Sequence, residues 1–171
     1  DRKLNDADIE LLLGQVLTRD QLDEFSSNLE YNTAINWQNK ARFRINAFRQ
    51  QSHTGIVLRR IQTNIPTLDS LELPDIYKEL VMERRGLILI VGPTGSGKSS
   101  SLAAMIGHRN ENGTGHIITI EDPVEFMHEH RGCIITQRDI GIDTYSFHIA
   151  LKNALRQRPD VVLIGEIRDQ E

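Results

Sequence analysis

Apolar positions along this chain change period partway through. From Ala7 to Ser27 they recur at helical spacing, at Ile9, Leu12, Leu13 and Val16 and then at Leu22 and Phe25. The pattern predicts two helices, with Thr18 as the N-cap of the second. Beyond them the period falls to two. Thr33 to Gln38 reads as a strand. Ala41 to Arg49 alternates Arg42, Arg44 and Asn46 against Phe43, Ile45 and Ala47. Gly55 to Ile61 reads as a third strand, after a turn over Ser52, His53, Thr54 and Gly55. Two helices followed by an antiparallel meander predict a small α+β unit.

A second texture follows. Thr63-Asn64-Ile65-Pro66-Thr67 has linker character, because Pro66 fixes its own φ and biases Ile65 away from helix. The chain is therefore expected to divide into residues 1–63, a linker at 64–67 and a second domain over 68–171. In the latter, Pro74 to Glu83 predicts a helix with proline near its first turn. Leu87 to Val91 (LILIV) is a continuous apolar run expected to be a buried strand. Ser100 to His108 predicts a helix, and His116 to Ile120 and Cys133 to Thr136 predict strands. Ser146 to Gln157 predicts a helix with Phe147, Ala150, Leu151, Ala154 and Leu155 on one side, and Val161 to Ile164 a last strand. Strands alternating with helices predict a parallel α/β sheet.

Composition narrows the class. The 171 residues are 39% hydrophobic and 26% charged, ordinary for a globular chain. A net charge of -4, from 20 basic and 24 acidic residues, argues against a surface built chiefly for nucleic acid. The five apolar residues of LILIV are too few to cross a bilayer, and no signal-peptide pattern opens the chain. Cys133 is the single cysteine, so neither an intrachain disulfide nor a cysteine zinc cluster can form, which fits a reducing cytoplasm.

The most specific motif is Gly92-Pro93-Thr94-Gly95-Ser96-Gly97-Lys98-Ser99, a complete G-x-x-x-x-G-K-[ST] loop. Its glycines let backbone N–H groups turn toward phosphate without interference from Cβ. The following helix start, including Ser100, favours an anion through its free N–H groups and dipole. Lys98 is expected on the β- and γ-phosphates of ATP, and the Ser99 hydroxyl on Mg²⁺.

Two acidic motifs extend the site. Val161 to Ile164 runs into Gly165 and Glu166, the form of a Walker B strand that sets a carboxylate beside Mg²⁺. Ile118 to Ile120 runs into Glu121, Asp122, Pro123, Val124 and Glu125, three carboxylates in five residues. One of the three is suited to orient and deprotonate an attacking water, unless the stretch is merely a solvated acidic turn. Arg42, Arg44, Arg49, Arg59 and Arg60 lie on two predicted strands, and Arg42 and Arg44 share a face. Such a face either meets phosphate across a domain or subunit boundary or is simply solvated. His128-Glu129-His130 is read as an extended or solvated pair in preference to a metal site, since no third ligand is placed.

GPTGSGKSS at 92–100, ITIEDPVEF at 118–126, LKNALRQRPD at 151–160 and VLIGEIRDQE at 162–171 together closely resemble the type IV pilus retraction ATPases of the secretion-ATPase superfamily. ARFRINAF at 41–48 and GIVLRRI at 55–61 resemble that family's N-terminal PAS-like domain. HEHRGCIITQRDIGIDT at 128–144 is more similar to the PilU type than to the PilT type. The resemblance implies a PAS-like α+β domain followed by an α/β RecA-like P-loop ATPase core. The core is expected to be truncated after the Walker B strand, since the family continues into a histidine-containing box and a helical region. The resemblance further implies that Glu125 is the catalytic base, that Glu166 is the Walker B glutamate, and that Arg44 and Arg59 approach the γ-phosphate.

The implied protein is an Mg²⁺-dependent ATPase, a homo-hexameric motor that drives pilus retraction and twitching motility. Its expected place is cytoplasmic, at the inner-membrane base of the pilus, against a platform protein and in some cases beside a paralogous retraction ATPase. No direct nucleic-acid contact and no transmembrane segment are expected. Two alternatives stay open: a nucleotide-binding or assembly module without real turnover, and a pilus-extension or type II secretion ATPase.

Overall fold

The computed structural model describes residues 3–37, 41–61 and 64–167, apart from the side chain of Asn36. Two compact units divide the chain, Asp1–Ile61 and Gln62–Glu171.

The first unit opens with α1 (Asp6–Val16) and α2 (Arg19–Asn28). Both start at capping boxes. Asn5 pairs reciprocally with Asp8, and Thr18 with Gln21, so each cap satisfies orphan N–H groups of its first turn. Three antiparallel strands follow in sequence order: β1 (Glu30–Trp37), β2 (Ala41–Gln50) and β3 (His53–Ile61). Gln38, at the expected end of the first strand, lies outside the described residues. Leu13, Leu17, Phe25 and Ala47 form the core, so the helices cover one face of the sheet. Arg49 joins the layers, donating to Glu10 at 3.2 Å and lying over the Phe25 ring at 5.1 Å.

The β2–β3 turn differs from the sequence expectation. It consists of Gln51 and Ser52, with φ of 48° and 66°, while His53, Thr54 and Gly55 are already in the strand. Gln50 pairs with His53, which leaves a two-residue connection. Positive φ at both central residues matches the right-handed twist of the flanking strands. Gly55 serves packing instead, because a Cβ there would meet the Phe48 ring at 2.5 Å.

The second unit contains α3 (Ile76–Met82), α4 (Lys98–Asn112), β4 (Gly115–Glu121), β5 (Cys133–Asp139), α5 (Phe147–Ala154) and β6 (Val161–Ile164). A 3₁₀ turn over Leu155–Gln157 extends α5, which Ser146 caps. The strands form a parallel sheet in the order β5-β4-β6. Alternation along β4 sorts the core. Ile117 packs with Ile106 of α4, Cys133 and Ile135, while Ile118 and Ile120 pack with Ala150 and Ala154 of α5. Helices thus cover both faces. Buried Arg109 of α4 donates to the carbonyls of Val81 and Glu83 and closes the C-terminal end of α3.

The run Leu87–Val91 is the main correction. It is neither buried nor in a ladder: Leu87, Leu89 and Val91 are 82%, 65% and 88% exposed. Only Ile90 packs, against the cluster of Leu68, Val81, Ala104 and Met105. A strand needs a neighbouring edge to receive its N–H and C=O groups, and no described strand pairs with this run.

Candidate nucleotide site

Phosphate-loop geometry is set by three glycines. Gly95 and Gly97 have φ of 80° and 89°, values that favour glycine, and Gly97 is the N-cap of α4. At Gly92 a Cβ would meet Ser96 Oγ at 2.7 Å. Pro93, Thr94 and Ser96 complete an exposed loop whose turn is closed by Ser96 N–H on the Pro93 carbonyl at 3.2 Å. The first intrahelical bond of α4 runs from Ser101 N–H to the Gly97 carbonyl at 2.9 Å. The N–H groups of Lys98, Ser99 and Ser100 therefore sit in the first turn, where a helix has no acceptors of its own. Lys98 Nζ folds back over the loop and donates to the Pro93 carbonyl at 2.9 Å.

Beside the start of α4 lies a cavity of about 80 Å³. Ser99, Glu121, Asp122, Glu125, His128 and Glu166 line it. The sheet explains the convergence. Thr119 and Glu121 follow Ile117 on the α4 face of β4, and Leu163 and Gly165 follow Val161 on the same face of β6. The Ser99 hydroxyl and Glu166 carboxylate thus reach one cavity from different elements. Glu125 is the exposed carboxylate of the acidic turn, whereas Glu121 is half-buried.

Glu121 is held by donors. Thr119 Oγ1 donates to Glu121 Oε1 at 2.6 Å, Gln137 Nε2 lies 3.5 Å from the same atom, and the Glu125 backbone N–H adds a third. Burial raises the Glu121 pKa, and these hydrogen bonds work against the rise. His128 is pushed down to about 4 by burial, so its ring is neutral at pH 7. The far side of the acidic segment is fixed by Asn110 of α4. It donates to the Glu129 carbonyl at 2.7 Å and accepts from the N–H groups of Arg131 and Cys133, each at 3.2 Å.

The two histidines of His128-Glu129-His130 part company. His128 lines the cavity, and His130 Nδ1 accepts the Ile135 N–H at 3.0 Å. Among the described residues no three His, Cys, Asp or Glu side chains gather as a metal cage. The donors that do gather, the Ser99 hydroxyl with carboxylates that include Glu166, are oxygens and fit Mg²⁺, which keeps waters and takes phosphate oxygens with one or two protein carboxylates.

Arg44 and Arg59 belong to the first unit. They are direct cross-strand partners, so both side chains leave the same sheet face. Arg60 pairs with Phe43 on the opposite face. Sequence reasoning identified neither Thr119 nor Gln137, because an isolated threonine or glutamine in a strand belongs to no motif. Residues 168–171 of the VLIGEIRDQE stretch lie outside the described residues.

The family model "Type II/IV secretion system protein" matches residues 26–171. The type IV pilus ATPase PilU of Pseudomonas aeruginosa is 57% identical over 95% of this chain and 42% of its own length. The retraction ATPase PilT of the same organism is 41% identical over 95% of this chain and 47% of its own. A crystal structure of the pilus retraction motor PilT with bound ADP superposes with a TM-score of 0.92 at 39% identity, over 99% of this chain and 49% of that one. The chain spans about half the length of the curated relatives it matches. Among the described residues no helix is long and apolar enough to cross a membrane. The chain belongs to the type II/IV secretion system protein family, and its sequence is more similar to that PilU than to that PilT.

Proposed function

We propose that this chain carries the nucleotide site of an ATP-hydrolysing pilus retraction motor. The supporting observation is the meeting of Ser99, at the start of α4, with Glu125 and Glu166 around one cavity. The ADP named in the PilT crystal structure fits a nucleotide at the matching loop. The two units are read as a PAS-like domain and a RecA-like core, and the working protein as a homo-hexamer at the cytoplasmic base of the pilus. Pilus platform and paralogous ATPase partners belong to the same proposal.

In this reading Lys98 leaves the Pro93 carbonyl and pairs with the β- and γ-phosphates, while the first N–H groups of α4 donate to phosphate oxygens. Ser99 and Glu166 would hold Mg²⁺, which would supply neutralisation of charge on the phosphates. Glu125 takes a proton from the attacking water. An exposed carboxylate at the mouth of the cavity suits that role better than Glu121, whose oxygens are already held by donors. Arg44 and Arg59, which share one face of the β2–β3 pair, meet the γ-phosphate of a bound nucleotide. Closure between units then turns phosphate contact into movement.

The experiment is ATP hydrolysis by the full-length protein and its Glu166→Gln variant, with nucleotide binding followed in parallel. A large loss of turnover with binding retained is expected. Normal turnover in the variant removes Glu166 from the reading.

A further inference from the structure

Gln137 stands on β5 directly beside Thr119 of β4 in the parallel register. It follows Cys133 and Ile135 on the α4 face, where those two residues close the core. Continued apolar packing is what that position ordinarily asks for. Instead the amide reaches up to the acidic turn. Gln137 Oε1 accepts the His128 backbone N–H at 2.7 Å, and Nε2 donates to the Phe126 carbonyl at 2.9 Å and faces Glu121 Oε1 at 3.5 Å. One side chain thus uses its acceptor and both of its N–H donors on a single segment.

Those contacts bracket Glu125. Glu121, one end of the bracket, receives Thr119 Oγ1, the Glu125 N–H and the Gln137 amide. Phe126 and His128, the other end, are held by the same amide. Val124, inside the bracket, is 1% exposed and anchors the turn in the core. Glu125 lies between these fixed points, exposed and on the cavity lining.

We propose that Gln137 is a positioning residue for hydrolysis: it ties both ends of the acidic turn to β5 and so sets where the Glu125 carboxylate stands. Glu121 and Thr119 complete the frame, and Glu121 serves as a hydrogen-bonded post instead of a proton acceptor. The inference rests on the reading of Glu125 as the residue that takes the proton. A carboxylate shifted by about 1 Å loses on the order of 10²-fold in rate while the phosphates remain bound elsewhere.

The test uses the full-length protein with Gln137→Met, which keeps the length and removes the amide, together with Glu125→Gln and the double variant. Three quantities are read: kcat for ATP, Kd for ADP, and amide exchange at His128. Gln137→Met is expected to lower kcat about 10- to 100-fold, leave the ADP Kd within about 3-fold, and speed exchange at the His128 amide. In the Glu125→Gln background it should change the remaining rate less than about 2-fold, since the positioned group is gone. Gln137→Met with unchanged kcat, an equal loss in ADP affinity, or a full additive loss on Glu125→Gln overturns the inference. Unchanged turnover in Glu125→Gln alone overturns the reading of Glu125, a separate outcome. Should Gln137→Met not accumulate as folded protein, wild-type exchange decides: a protected His128 amide supports the clamp, and exchange as fast as in an open turn rejects it.

Discussion

The two units are built by opposite means. In Asp1–Ile61 each strand pairs with its sequence neighbour, the turn between β2 and β3 is two residues long, and both helices start at complete capping boxes. Structure there is local. In Gln62–Glu171 the central strand β4 pairs with β5 and β6, and β6 lies some forty residues farther along the chain. What the second unit gains is convergence. A parallel sheet delivers Glu121, Gly165 and Glu166 to the same end, beside the start of α4. In the same unit Leu87, Leu89 and Val91 stand in solvent. Local pairing makes a self-contained scaffold, whereas long-range pairing makes a site.

Breaking the site should have the largest effect. Lys98→Ala removes the side chain that folds over the loop, and ATP turnover of the full-length protein should fall on the order of 10²–10³-fold. Thermal melting without nucleotide should change little, because the hydrogen bond that Lys98 makes is to the carbonyl of an exposed loop residue. A variant that melts early would mean that the loop supports the fold.

Packing sharpens the contrast next. Leu13 is fully buried in the first core, and Leu13→Ala should cost about 2–5 kcal/mol in denaturant unfolding. Leu89→Ala, in the exposed run, should stay within about 0.5 kcal/mol in the same chain. Equal costs would show that Leu89 is covered in solution.

The second unit should also respond to acid through His128. Its folded-state pKa of about 4 lies below the ordinary 6.5. Between those values the unfolded chain binds a proton that the folded chain refuses. The neutral ring's contribution is therefore complete above pH 6.5 and is lost as pH falls toward 4, by about 3 kcal/mol. Burial of Glu121 acts in the other sense, its raised pKa weakening the fold as pH rises, so the test is the difference between wild type and His128→Gln. That difference should appear as pH falls from 6.5 to 4, and a flat difference contradicts it.

A cap contributes less than the buried leucine or the histidine. Thr18→Ala removes the acceptor for the Gln21 N–H and should cost about 1 kcal/mol, as seen by urea unfolding.

Much of the first unit was legible because its signals are local. Helical spacing at Ile9, Leu13 and Val16 and alternation across Arg42 to Ala47 each name an element and its buried face. The turn was misplaced because Gln51 and Ser52 adopt positive φ without glycine or asparagine to announce it. In the second unit LILIV announced apolarity, but a strand also requires an edge to pair with, and no described strand supplies one. The phosphate loop and the carboxylates were readable because their spacing is a motif. Gln137 was not, since its meaning depends on the parallel register that sets it beside Thr119.

On the proposed reading Glu125 performs chemistry at a nucleotide held by the 92–99 loop. The most direct test of that role is single-turnover ATP hydrolysis by the full-length protein carrying Glu125→Gln, with ATP binding measured on the same sample. The account predicts binding within about 3-fold of wild type and hydrolysis slower by about 10²–10⁴-fold. Hydrolysis at the wild-type rate, with ATP bound, contradicts it.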